Sequence, residues 1–291
     1  MYQVFSTLCF LLFATTVTAS PSVWTWLSGS TNEALDQLKK NSDIVDMVSF
    51  GGFSVSSDLK FTKNCNLTLL NAIHDLKMEP HPLIGGSNID TLRQLFANVN
   101  NSADAFISDA TSTAVSLKLS GYNIDFEPYN QGSTYADGIA FAAFADKFAK
   151  ELHKHGMKLS IDYFSNLPFW NLGALNTTTE VDTLISMDTY VPSNVSFEIY
   201  YNIASNHIDS KRLGVGICTG IRPSPFTPYG PDPCGIDVWT KDQVNERIEF
   251  VLTNDITQIN LWVLPISDIW WNGLRIMKNS SVQEINITIN N

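Results

Sequence analysis

The sequence predicts an α/β fold, a single (β/α)8 TIM barrel. Three observations point to it. Strand-like and helix-like segments alternate eight times within one domain's length. Such alternation implies a parallel sheet, and eight units of this size imply a closed barrel. No composition shift or long linker divides the chain. Four of the strands carry polar or aromatic side chains on one parity and apolar ones on the other, as expected of strands with a functional inner face.

The elements follow in order. Ser22 to Leu27 reads as strand one, and Asn32 to Lys40 as a short amphipathic helix with Leu35 and Leu38 at helical spacing. Val45 to Phe50 is strand two, ending at Gly51-Gly52. Leu67 to Met78 is helical, with Leu69, Leu70, Ile73 and Leu76 on one face. His81 to Ile84 is strand three, closed by Gly85-Gly86; Ile89 to Val99 and Ala103 to Leu119 are helices. Strand four is Gly121 to Pro128. Phe141, Phe144, Ala145, Phe148 and Leu152 then step by three and four, and Gly156 ends that helix. Leu159 to Phe164 is strand five, Leu184 to Tyr190 strand six, and Phe197 to Ser205 a helix. Leu213 to Cys218 is strand seven, Lys241 to Leu252 a helix, Ile259 to Leu264 strand eight, and Ile269 to Lys278 the last helix.

Strand four carries the chemistry. Tyr122, Ile124 and Phe126 fall on one face; Gly121, Asn123, Asp125 and Glu127 fall on the other. Unpartnered carboxylates are costly to bury, so two acids at i and i+2 need a reason. Close together in a confined site they do not both ionise readily, which leaves one proton for general acid work. The plainer reading is a carboxyl pair that only ties loops down. The same parity turns Ser160 and Asp162 of strand five inward. It does so for Ser186, Asp188 and Tyr190 of strand six, with Ile185 and Met187 outward, and for Asn260 and Trp262 of strand eight. An acidic, aromatic-floored pocket results, suited to sugars.

Composition narrows the partners. The 291 residues carry a formal charge of −11, with 18 basic against 29 acidic residues. That balance disfavours nucleic acid and anionic membranes and favours a neutral substrate. Met1 to Ser20 holds no charged side chain, and its apolar run from Val4 to Val17 ends in Val17-Thr18-Ala19. This reads as a secretory signal over residues 1–19, leaving a catalytic domain over 20–291 that is secreted or lysosomal. The polar end, Asn279 to Asn291, shows no membrane-anchor signal. Sequons at Asn66, Asn100, Asn176, Asn194, Asn279 and Asn286 agree with that route. Cys218 and Cys234 bracket a Pro-rich loop and form the expected disulfide, with Cys65 left over; three unpaired thiols are the alternative. Nothing is spaced like a zinc site, and no metal or cofactor is expected. The protein is expected to be monomeric.

Asn123-Ile124-Asp125-Phe126-Glu127 resembles the Asp-x-Asp-x-Glu signature of glycoside hydrolase family 18, the chitinases and their relatives. Gly85-Gly86, Tyr190 and Trp262 resemble further marks of that family on strands three, six and eight. The resemblance implies a retaining, substrate-assisted hydrolase of β-linked N-acetylglucosamine. In it Glu127 is the general acid, Asp125 orients the substrate's acetamide and Tyr190 donates to it. Trp262 stacks under the sugar, and Asn123, Asp162, Asp188 and Asn260 line the substrate site. The implied partner is an oligosaccharide containing N-acetylglucosamine. Asn123 stands where the family has Asp, as in the di-N-acetylchitobiase branch. Leu83 replaces a Ser, Asp188 a Met and Val191 an acid. Asp188 is a candidate for the missing carboxylate. Two alternatives follow: a carbohydrate-binding barrel without turnover, and another glycosidase of acetamido sugars with a hyaluronidase-like acid pair. The low basic count speaks against a polyanionic substrate for the latter.

Overall fold

The computed structural model describes residues 20–27, 32–178, 180–191, 193–219 and 239–289. The expected signal over residues 1–19 and Cys234 lie outside them. One sheet of eleven strands organises the described residues. Its strands are β1 (Ser22–Leu27), β2 (Met47–Phe50), β3 (Phe53–Val55), β4 (Phe61–Lys63), β5 (Glu79–Pro80), β6 (Leu83–Gly86), β7 (Gly121–Phe126), β8 (Lys158–Tyr163), β9 (Thr183–Ser186), β10 (Leu213–Cys218) and β11 (Gln258–Leu264). They lie in the order β4-β3-β6-β7-β8-β9-β10-β11-β1-β2-β5. Every pairing is parallel except the β3–β4 hairpin.

The sheet is curled, and the sequence gives the reason for its excess of strands over the eight expected. The third expected strand, His81 to Ile84, is observed as β6, and a further short strand, β5, precedes it on the other side of His81-Pro82. Proline has no N–H to give to a ladder, so pairing breaks there. Strand β5 faces β2, with the His81 N–H donating to the Val48 carbonyl at 2.9 Å. Strand β6 faces β7, where the Asn123 N–H donates to the Pro82 carbonyl at 3.1 Å. One end of the sheet order and one of its interior strands therefore belong to a single stretch of chain. The β3–β4 hairpin adds the remaining strands.

Nine α-helices accompany the sheet among the described residues: α1 (Asn32–Lys40), α2 (Leu67–Asp75), α3 (Ile89–Phe96), α4 (Ser102–Leu117), α5 (Tyr135–His153), α6 (Leu172–Thr177), α7 (Asn194–Ser205), α8 (Lys241–Thr253) and α9 (Asp268–Ile289). None is long and apolar enough to cross a membrane. Helix α5 shows why the local sequence folds as it does. Thr134 and Asp137 form a reciprocal capping box at its start. Arg93 of α3 holds the same Asp137 at 2.8 Å. Phe141, Phe144, Phe148 and Leu152 are buried along its inner stripe. Phe141 stacks on Phe169 at 4.9 Å and meets Phe96 at 5.6 Å and Phe126 at 5.7 Å. Since Phe126 is the outward neighbour of Asp125 and Glu127, this aromatic layer backs the strand that carries the acids.

A smaller apolar cluster lies on the other side of the sheet. Trp24, Trp26, Met47 and Ile185 form it, with Leu83, Trp262 and Val263 against them. Trp24 and Trp26 stack at 5.5 Å with nearly parallel rings. Ile185 in this cluster corrects the parity expected of strand six. Ile185 points inward, so Ser186, its neighbour on a pleated strand, points outward. The strand also stops at Ser186 rather than running to Tyr190. The buried Thr189 hydroxyl lies 2.8 Å from the Ser186 carbonyl and 2.7 Å from the Gly216 carbonyl, and the chain turns there.

Candidate active site

Beyond the C-terminal ends of β7, β8, β9 and β11 lies a cavity of about 620 Å³. Asp125, Glu127, Asp162, Asp188, Tyr190 and Trp262 all line it. Six residues named from the sequence thus share one hollow. Asp125 pairs in register with Gly85, a residue without a side chain, on β6. Glu127 follows the last residue of β7, and its N–H donates to the Gly86 carbonyl at 2.8 Å. Gly86 is needed at that point, because a Cβ there would lie 2.9 Å from the Phe126 ring.

Asn123 and Asn260, expected at the sugar, are instead fully buried and line no part of the cavity. Asn123 donates from Nδ2 to the Ser160 hydroxyl at 3.0 Å and to Asp162 Oδ1 at 3.1 Å. Asn260 accepts from Gln258 at 2.8 Å and reaches the Val215 carbonyl at 3.4 Å. Both sit one layer below the floor and hold neighbouring strands together.

The turn after Ser186 brings Met187, Asp188 and Tyr190 all to the cavity, which strict strand alternation would forbid. Asp188 accepts the Ser165 N–H at 2.9 Å. Tyr190 lies over Gly216 of β10, where a Cβ would stand 2.3 Å from the tyrosine ring. Behind this turn the buried Arg247 donates to the Val191 carbonyl at 3.2 Å and to Asn194 Oδ1 at 3.0 Å. Its guanidinium stacks 3.9 Å from the Phe197 ring centre. Trp262 ends the inner cluster, 6.2 Å from Trp26, and its carbonyl accepts the Thr219 N–H at 2.7 Å.

Burial governs the acids. It raises Asp125 and Asp162 well above the usual carboxyl range. The neighbouring charges of Glu127 and Asp162 raise Asp125 further. Glu127 is also raised by burial, against a hydrogen bond from the Tyr129 hydroxyl that lowers it. Asp188 is raised by burial, with the Ser165 N–H acting the other way. The third carboxyl acting on Asp125 is therefore Asp162 of β8; Asp188, the candidate for that role, stands on the Ser165 side. Tyr190 is held far on the neutral side, first by burial and then by Asp162, Asp125 and Glu127. Every acid or base lining the cavity among the described residues is a carboxyl or a phenol.

The sequence reading missed Tyr129, Phe164, Ser165, Asn166 and Tyr200, which with Met187 and Val191 complete the wall. Phe164 and Tyr129 stood two residues past Asp162 and Glu127, where the same parity continues. Tyr200 sits on α7 and had no such signal. Among the sequons, Asn66 caps α2 by accepting the Leu69 N–H at 3.1 Å, and Asn194 is engaged by Arg247. Asn100, Asn176 and Asn279 are exposed. The side chain of Asn286 lies outside the described residues. Cys65 is a free thiol, and Cys218 is buried at the end of β10.

No family model and no curated protein matches the chain in sequence. Solved structures do match in fold. The spore cortex-lytic enzyme SleL of Bacillus megaterium QM B1551 aligns with a TM-score of 0.72 at 12% identity, over 89% of this chain and 74% of that one. A chitinase from Chromobacterium violaceum ATCC 12472 aligns at 0.70 and 15%, over 89% and 99%. The Group IV chitinase of Ostrinia furnacalis, solved with allosamidin, aligns at 0.69 and 11%, over 90% and 99%. The chain has the fold of these chitinases. At such identity the likeness concerns the backbone, and the chemistry must be argued from the side chains.

Proposed function

We propose that the protein is a retaining glycosidase of β-linked N-acetylglucosamine, acting on chitin oligosaccharides or chitobiose units by substrate-assisted catalysis. The observation that carries this reading is the shared placement of Asp125 and Glu127 in a cavity with Tyr190 and Trp262. Glu127, its proton retained by burial, protonates the glycosidic oxygen. The substrate's own acetamide oxygen attacks the anomeric carbon and closes an oxazolinium ring as the glycosidic C–O bond breaks and the protonated oxygen leaves as the alcohol. Asp125 orients the acetamide by accepting its N–H. Tyr190 donates to the acetamide oxygen, and Trp262 gives the sugar a flat apolar face. Glu127, now ionised, takes a proton from the water that reopens the ring, so configuration is retained.

The same reading includes a closed (β/α)8 barrel, supported by the single stretch that carries both β5 and β6. It also includes a cleaved signal over residues 1–19, a catalytic domain over 20–291, and secretion or lysosomal residence. A Cys218–Cys234 bridge, glycosylation at exposed sequons and a monomeric state belong to it too.

The test is kinetic. Aryl glycosides of chitobiose and chitotriose are incubated from pH 3 to 8 with the native protein and with Glu127→Gln. The native protein is expected to release aryl alcohol with retention, and E127Q to lose about 100- to 10,000-fold in kcat. Sugar binding without turnover by the native protein would instead favour a carbohydrate-binding barrel. An inverted first product would exclude the acetamide route.

A further inference from the structure

We propose that the Tyr129 hydroxyl is a positioning group for Glu127: it ties down one carboxyl oxygen and limits how high in pH the acid form persists. The proposal rests on the glycosidase reading for its catalytic consequence, but not for its geometry. Pro128, buried, follows Glu127 directly, and the Tyr129 N–H donates back to the Glu127 carbonyl at 2.9 Å. The chain doubles on itself there, which returns the phenol over the carboxyl. The Tyr129 hydroxyl donates to Glu127 Oε1 at 3.2 Å. Two rings hold the phenol in place: Trp170, 5.6 Å away and tilted, and Phe164, edge-on at 6.5 Å. Trp170 is buried, so this support is fixed although Tyr129 is itself 39% exposed.

The groups around Glu127 make the hydroxyl matter. Asp125 stands on the same strand, Asp162 comes from β8, and Asp188 and Tyr190 come from the turn after β9. All are acids or phenols, so none of them offers Glu127 a positive charge. Burial alone would keep its proton to ever higher pH, and a proton held too firmly is a poor one to donate. A hydrogen bond from a neutral hydroxyl favours the carboxylate over the neutral acid. With Oε1 occupied by Tyr129, Oε2 is the oxygen left to carry the transferred proton.

Tyr129→Phe removes the hydroxyl and keeps the ring on Trp170 and Phe164. Two measurements are made on the full-length protein. The first is the pH profile of kcat/KM on the chitobiose aryl glycoside. The second is a ¹³C-carboxyl NMR titration of Glu127, its signal assigned by its loss in Glu127→Gln. Both are expected to move upward, by about one pH unit or less given the exposure of the hydroxyl. KM is expected to stay within about twofold, because the ring remains. A basic limb and a titration that both stay in place, or that move downward, would overturn the proposal. If the native protein turns over no substrate, the glycosidase reading fails, while the titration still decides the role of Tyr129.

Discussion

Gly216→Ala tests whether the position of Tyr190 matters. A Cβ at residue 216 would lie 2.3 Å from Tyr190 Cε1 and 2.5 Å from the Ser186 carbonyl oxygen. Carbon atoms in comfortable contact stand about 3.5 Å apart, so the ring must withdraw by roughly 1.2 Å. The Ser186 oxygen has less freedom, because β9 and β10 are paired beside it through Val215 and Ser186. Withdrawal of the ring relieves only the first contact, so the strain is shared between Tyr190 and the β9–β10 backbone. Overpacking of this kind costs about 1–3 kcal/mol of stability. A displacement of about 1 Å at a group that orients the reacting acetamide costs about 100-fold in rate. The assay is kcat/KM on the chitobiose aryl glycoside, with thermal unfolding alongside. Tyr190→Phe and the double variant complete a cycle. If Gly216 acts through the Tyr190 hydroxyl, G216A should reduce kcat/KM strongly in the native background and much less in Y190F. Equal losses in both backgrounds, or no loss in either, would refute the argument.

The buried acids make stability depend on pH. Asp125, Glu127, Asp162 and Asp188 have folded pKa values raised above their unfolded ones. Their contribution is complete below about pH 4 and is lost as pH rises through the folded values. Glu79 and Asp137, each lowered to about 2, contribute above about pH 4 and lose that contribution as pH falls toward 2. Thermal unfolding scanned from pH 2 to 8 should therefore peak on the acid side of neutrality, and a peak at or above pH 7 would contradict this account. Phe141→Ala should cost about 3–5 kcal/mol in urea unfolding, because the ring sits among Phe96, Phe126 and Phe169; a loss under about 1 kcal/mol would show that this layer does not support β7.

The elements legible in the sequence were those with one strong period. The α5 stripe sets apolar side chains along one face, and β7, though buried on both faces, alternates apolar with polar residues, so register follows from hydrophobicity. Strand six was different. Leu184, Ile185 and Met187 are apolar on both parities, so alternation offered no choice of face. Its end is set by Thr189 reaching two carbonyls, a tertiary contact that no local pattern encodes. The reading still brought Asp188 and Tyr190 to the cavity, because a turn undid the error in parity. Strand three was read as His81 to Ile84, and the short β5 before it, on the far side of Pro82, was not anticipated. Depth within the interior was the least legible property. Asn123 and Asn260 share a face with Asp125 and Trp262, but two residues nearer the strand start they lie below the floor.

That difference in depth explains the departure at residue 123. Asn123 donates through one nitrogen to both Ser160 and Asp162. An ionised carboxylate has no proton to give, so Asp at this position could not donate to Asp162 and could meet Ser160 only by accepting from its hydroxyl. It would also set another negative charge against Asp125, Glu127 and Asp162, where burial already resists ionisation. The amide at 123 and the carboxyl at 162 thus fit each other. One strand presents the pair that faces the cavity, and its neighbour supplies the buried acid that bears on it. Asn123 marks a site whose third carboxyl lies across the sheet, on β8, rather than a site that has lost one.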